Sequence, residues 1–207
     1  MLNHVRPAVT LIAAFTLLTG IAMPLAFVGV GQLAFPFQAN GSLLVRNGHP
    51  VGSALIGQNF TADKYFHGRP SALMGTDPKD SSKQVPTPYD ASESGASNLA
   101  PTSKALVDRV TADLPHYAGL SSSGHDVPAD AVTSSGSGVD PDISPENAAL
   151  QLTRVARARG LSAAAVSAIV AAHTEAPLLG FLGAPRVNVL AVNLALDDAA
   201  GPAQALK

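Results

Sequence analysis

The chain has 207 residues, with 13 basic and 15 acidic side chains, no cysteine, 46% hydrophobic residues and only 14% charged ones. A typical soluble protein is about 25% charged, so the deficit needs a local cause. The near-neutral balance offers no basic surface for nucleic acid, and the lack of cysteine excludes thiol catalysis and Cys-ligated metals.

The cause lies near the N-terminus. No Asp, Glu, Lys or Arg occurs from Pro7 to Val45, and Ala8–Ala34 is almost wholly apolar. About 20 such residues, at ~1.5 Å each, cross a hydrocarbon core. A secretory signal has an apolar region of roughly 7–15 residues and a small-x-small cleavage site. This run is longer, and Gly29–Gly31 matches such a site poorly. Residues 8–34 therefore read as one retained transmembrane helix, bent at Pro24 with Gly20 behind it. Ala14, Gly20 and Ala22 are small enough for close packing on other helices. A single uncharged helix cannot enclose a pore, so the chain does not transport by itself. Arg6 precedes the span and only Arg46 follows it closely. The positive-inside rule then places residues 1–7 in the cytoplasm and residues 38–207 outside, as a soluble domain. Setting Arg6 aside leaves 12 basic against 15 acidic residues there.

After the span, Gly41–Gln58 carries two short apolar runs around Asn47-Gly48, a hairpin signal whose loop His49-Pro50 lengthens beyond two residues. "YFHGRPSA" (Tyr65–Ala72) reads as a turn. Gly75–Gly95 is rich in Pro, Ser, Asp and Lys and reads as a long flexible surface loop. Leu106, Val107, Val110 and Leu114 recur at helical spacing, predicting a helix over Thr102–Leu114, and Ser121–Asp126 reads as a flexible break. "ISPENAALQLTRVARARG" is a helix with its punctuation: Ser144 as N-cap, Pro145 first, Glu146 at the positive dipole end, arginines at the other, Gly160 as terminator. Ser162 caps a second helix whose inner stripe is Val166, Ile169, Val170 and His173. Val187–Asp197 alternates Leu190, Val192, Leu194 and Leu196 against mainly small residues, which predicts a strand. The fold class is one N-terminal transmembrane helix followed by a single soluble α+β or α/β domain.

"TSSGSGVDPDISP" (Thr133–Pro145) is the stretch richest in chemical possibility. A phosphate loop needs a lysine after its glycines, and none follows Gly136 or Gly138. A nucleophile elbow needs G-x-S-x-G, which neither Ser135 nor Ser137 satisfies. A calcium loop begun at Asp140 would put Pro145 where glycine is needed and Gln151 where a bidentate glutamate is needed. A tight structural turn, an interaction loop and a ligand site stay open for Ser134, Gly136, Ser137, Gly138 and Asp140. The histidines are scattered without metal-ligand spacing, and His173 is either a satisfied helix-end residue or an acid–base. Arg69, between glycine and proline, can pair with a carboxylate of this chain or of a partner. Arg154 and Arg157 are either a basic patch or complements to the helix dipole.

The blocks "YFHGRPSA", "SGASNLAPTSKAL", Val127–Leu161 and "HTEAPLLGFLGAPRVNVLAVNLALD", in that order behind one span, closely resemble the C subunit of the bacterial Kdp-type potassium-transporting ATPase. The resemblance covers nearly the whole chain, thinning at Gly75–Glu93 and after Asp197. It implies a non-catalytic subunit of a high-affinity K⁺ pump in the bacterial inner membrane. Such a subunit assembles or stabilises a potassium-channel-like subunit and a P-type ATPase subunit, and is proposed to raise the complex's affinity for ATP. It places Gln58, Phe66, Gly68, Arg69, Asn98, Ser134, Gly136, Ser137, Gly138, Asp140, Ser144, Arg154, Arg157, Gly183, Arg186 and Asn188 among the family's characteristic positions, none a settled catalytic residue. Ala100 and Asp142 depart from the glycine and histidine expected there. A domain facing outward meets no ATP, so the charge bias and a nucleotide role pull apart. The rival reading is a membrane-anchored serine hydrolase using Ser137, His173 and Asp140 or Asp142.

Overall fold

The structure, a computed structural model, describes residues 4–118 and 127–199. Its contacts divide the chain into two units, residues 1–53 and 54–207, so the first hairpin groups with the span. The break expected at Ser121–Asp126 lies outside the described residues.

In the first unit, α1 (Val5–Leu17) and α2 (Met23–Ala34) continue through a π-helical turn, Leu18–Ala22, as one 30-residue helix long and apolar enough to cross a membrane. Pro24 has no N–H to donate, and the ladder answers by widening: the Met23 N–H reaches the Leu18 carbonyl five residues back. The Thr10 and Thr19 hydroxyls donate to the carbonyls of Arg6 and Phe15 at 2.9 and 2.7 Å, so both are satisfied inside the helix. A short helix, α3 (Pro36–Ala39), follows, where Asn40 donates to Gln32 Oε1 at 3.1 Å and to the Pro36 carbonyl at 2.6 Å.

Strands β1 (Leu43–Arg46) and β2 (His49–Ser53) form an antiparallel hairpin. Its loop is the two residues Asn47 and Gly48, both at positive φ (52° and 80°), not the longer one expected from His49-Pro50. Pro50 is accommodated because the register slips between Leu44 and Val45, leaving Val51 as the extra residue of a bulge.

The second unit mixes helices with small antiparallel sheets, an α+β arrangement. Gly75–Gly95, expected as a loop, contains a hairpin of β3 (Met74–Asp77) and β4 (Asp80–Pro86). The pairing is carried by backbone, and neither strand has a buried residue, so no alternation of apolar residues announces them. Helix α4 (Lys104–Ala118) begins two residues after the expected start and runs past Pro115. A short α5 (Ala129–Val132) precedes β5 (Asp142–Ile143) and α6 (Pro145–Arg159). Helix α6 has the expected punctuation: Ser144 Oγ accepts from the Asn147 N–H, Pro145 opens the helix and Gly160 closes it at φ 65°. Ser162 caps α7 (Ala163–Ala172) in the same way, through the Ala165 N–H.

The segment expected as a strand over Val187–Asp197 is only briefly one. Strand β7 (Arg186–Asn188) pairs with β5 and with β6 (Thr174–Glu175), and α8 (Val189–Ala199) starts at once. Asn188 Oδ1 accepts from the Ala191 N–H and caps the new helix. The buried residues Val189, Leu190, Val192, Asn193, Leu196 and Asp197 follow helical spacing, and Leu194 is only half-buried. Two of the six are polar, which hides the 3.6 period from an apolar count. The core packs Phe66, Ile143, Val155, Val166, Val170, Val187, Val192 and Leu196 between α6, α7, α8 and the β5–β7–β6 sheet.

Candidate functional site

Phe66 brings an extended strap, "YFHGRP", into that core, and its backbone has no strand beside it. Side-chain amides take the place of one. Asn193 Oδ1 accepts from the Phe66 N–H at 2.8 Å while its Nδ2 donates to the Phe66 carbonyl at 2.9 Å. From α6, Gln151 does the same to His67, at 2.8 and 3.1 Å. Gln151 is held in turn by Asn147 at 2.9 Å and Arg154 at 2.8 Å. At one end of the strap the Tyr65 hydroxyl donates to Asp197, which forms a buried 2.9 Å pair with Arg159. At the other end Arg69 pairs with Asp140 at 3.1 Å and reaches the Ser134 carbonyl at 3.4 Å, while the Tyr89 hydroxyl donates to the Arg69 carbonyl at 2.6 Å.

Arg69 thus ties the strap to the glycine-rich turn. Within that turn the Ser135 hydroxyl accepts from the Gly138 N–H at 2.8 Å, and the Ser137 hydroxyl from the Val139 N–H at 3.2 Å. Carbonyls of Ser137 and Val139 accept from the amides of Gly95 and Gly57. Gly138 sits at φ 75°, where an added Cβ would lie 2.5 Å from Leu73 Cγ, so both conformation and space demand glycine. Asp130 closes the arrangement by accepting from the Ser144 N–H at 2.8 Å, the Ser144 hydroxyl at 2.9 Å and Asn147 Nδ2 at 3.1 Å.

A cleft beside the turn is lined by Asp130, Asp140, Asp142 and Glu146 against Arg69 and Arg186. Both arginines are engaged there, Arg186 with Glu175 at 2.6 Å and with Asp142 at 3.3 Å. Burial pushes the Asp142 carboxyl up, against the pull of Arg186 and Asn188. The Tyr89 phenol is pushed up to about 12, first by burial and then by Asp140. In a second hollow burial, helped by Arg154, holds the His67 imidazole below its usual range.

The nucleotide implied by the resemblance does not fit this turn. Four carboxylates line the cleft, and the amides of Gly138, Val139, Asp142, Ser144 and Asn147 are already donated to side chains of the chain itself. The hydrolase reading fares no better. Ser137 serves a backbone amide, and His173 caps α7 with its Nδ1 2.9 Å from the Ile169 carbonyl, the satisfied helix-end role. No group of residues able to hold a metal ion occurs among the described residues.

The structure therefore gathers Arg69, Ser134, Ser137, Gly138 and Asp140 in one clasp, with Gly136 exposed at its rim. Arg154 and Arg157 do not form a patch: Arg154 folds onto Gln151 and the Asp63 carbonyl, and Arg157 stands exposed in the last turn of α6. Asn193, Gln151, Asp130 and Tyr89 are the members of this arrangement that sequence reasoning missed. A buried amide on an apolar helix face was the available signal, hidden at Asn193 by the strand assignment.

The KdpC family, described as K⁺-transporting ATPase, c chain, matches residues 5–198. A "Potassium-transporting ATPase KdpC subunit" of Rhodopseudomonas palustris (strain BisB18) is 57% identical over 199 residues, covering 96% of this chain and 100% of the relative. One from Methylobacterium nodulans is 55% identical over 201 residues, covering 97% and 100%. One from Bradyrhizobium diazoefficiens is 54% identical over 200 residues, covering 97% and 99%. Similarity this high, unbroken from the apolar helix to α8, leaves one assignment: the chain belongs to the KdpC family, the c chain of potassium-transporting ATPases.

Proposed function

We propose that the chain is an accessory, non-catalytic subunit that assembles and stabilises the channel-like and P-type ATPase subunits of a high-affinity K⁺ uptake pump. The observation that carries this reading is the family match along residues 5–198. The clasp supports it, because the side chains best suited to chemistry are bonded to one another and to backbone. The apolar helix anchors the chain in the bacterial inner membrane, packing through Ala14, Gly20 and Ala22, with the π turn before Pro24. The charge bias around Arg6 puts the soluble unit on the outer face. An influence of this chain on nucleotide affinity is then exerted through the partner.

Affinity purification of the tagged full chain from cells expressing the other subunits tests the reading. It should bring down a K⁺-stimulated ATPase, and Ser137→Ala should leave that activity unchanged. A chain that purifies alone and shows esterase activity abolished by Ser137→Ala would overturn it. The lack of native cysteine allows Ser92→Cys, at an exposed position, to report orientation. An impermeant maleimide should label it in cells with a permeabilised outer envelope; labelling only in inverted vesicles would place the unit in the cytoplasm.

A further inference from the structure

Between β6 and β7 the chain makes a tight turn that displays apolar side chains. Leu178, Leu179, Phe181 and Leu182 are 70, 74, 73 and 49% exposed. The turn is framed. The Leu178 N–H donates to the Leu182 carbonyl at 3.0 Å and the Leu182 N–H to the Leu178 carbonyl at 2.9 Å, while the Gly180 N–H donates to the Pro177 carbonyl at 2.9 Å. Leu179 stands at φ 56°, a left-handed conformation that favours glycine, so the tip holds a bulky apolar residue against local preference. A loop optimised only to connect two strands would place glycine or asparagine there.

Charge decides what the turn meets. Residues 176–185 carry no charge and no Tyr or Trp. At the base, Glu175 and Arg186 face each other across β6 and β7 and neutralise one another at 2.6 Å. An interfacial lipid contact buries Leu or Phe as this turn could, but it adds basic residues for the anionic headgroups and Trp or Tyr at their level, and neither is present in the turn. A fixed, uncharged knob instead matches a preformed, uncharged apolar pocket on a protein. Four side chains are too few for a free-standing interface. They suffice as an anchor for a chain already held in the same membrane by its helix, because tethering raises the effective concentration of the second contact.

We propose that the Leu178–Leu182 turn is the anchor by which the soluble unit docks into an apolar, uncharged pocket on another subunit of the ATPase. This inference rests on the accessory-subunit reading and adds the surface and the chemistry of the contact. The test uses the full chain, wild type and Leu179→Ser/Phe181→Ser, co-expressed with the other subunits. Both changed positions face solvent, so circular dichroism should be unaltered. Retention of the double variant in the purified complex should fall about tenfold or more, as expected for central apolar anchors. In parallel, Leu179→Cys carries an environment-sensitive fluorophore. It should report water when the chain stands alone in lipid vesicles, and a dry environment in the complex. Equal retention of variant and wild type overturns the proposal. So does a fluorophore quenched by spin-labelled lipid in the chain alone, which would make the bilayer surface the occupant. A wild type that fails to co-purify refutes the accessory reading itself, and the docking surface falls with it.

Discussion

Replacing Asn193 by alanine separates the clasp from the core around it. The side chain is 1% exposed and satisfies both backbone groups of Phe66. Truncation leaves a buried N–H and a buried C=O without partners, each costing about 1–3 kcal/mol. The total should be about 4 kcal/mol, a large fraction of the ~5–15 kcal/mol that holds a domain together. For a unit of this size that corresponds to a fall of roughly 10 °C in Tm. Thermal unfolding of the full chain in detergent, followed by circular dichroism, reads the loss. Gln84→Ala, at an exposed position on β4, serves as the control and should move Tm by less than a few degrees. Hydrogen exchange adds a local reading, since the Phe66 amide should lose its protection before the amides of α6. Asn193→Asp keeps an acceptor for the Phe66 N–H but sets a carboxylate against the Phe66 carbonyl, so it should not rescue. An Asn193→Ala protein that melts within a degree or two of the control, with the Phe66 amide still protected, would refute the claim that side-chain amides hold the strap.

Gly138→Ala should cost more than Gly160→Ala. Both residues have positive φ, but only at Gly138 would the new Cβ meet Leu73, so melting should separate strain plus clash from strain of about 1 kcal/mol alone. Arg159→Leu should destabilise the fold by about 3–5 kcal/mol by leaving Asp197 buried without its cation, and adding Asp197→Leu should recover most of that in a double-mutant melting cycle. Tyr89 makes stability fall at alkaline pH. Its folded pKa, raised from 10.0 to about 12, means that its contribution is complete below pH 10 and is lost as pH rises towards 12. Denaturant titrations of wild type and Tyr89→Phe should converge across that window, and parallel curves would refute the assignment.

Local signals survived into the structure where a residue acts on its own neighbours. Ser144, Pro145 and Gly160 bound α6 because caps and terminators work within one turn of chain. Ser162 does so for α7. The apolar run of the span is equally local, and the structure shifts its start only to Val5. Legibility failed where a partner distant in sequence decides. The β3–β4 hairpin is paired through backbone and carries no apolar alternation. Residues 190–196 alternate as a strand would, yet Asn188 caps a helix there and the polar Asn193 and Asp197 face inward to meet Phe66, Tyr65 and Arg159. Of the candidate site, the glycine-rich turn and Arg69 were visible as unusual residues. Asp140 as the partner of Arg69 lies 71 residues away, beyond any spacing rule.

The clasp also limits where recognition can reside. Arg69, Arg154 and Arg186 each bond to groups of their own chain. Asn188 and Ser144 spend their side chains on capping helices. Residues so engaged fix the shape of the unit and are not free to meet a partner. A feature that the fold exposes at a cost to itself is the stronger candidate for contact with a neighbouring subunit. Among the described residues of the second unit, the largest apolar exposures are those of Leu178, Leu179 and Phe181, held on a turn whose tip is conformationally disfavoured. Motif residues that maintain the fold and a small apolar knob that it presents are therefore separable by mutation: the first should change Tm before assembly, the second assembly without Tm.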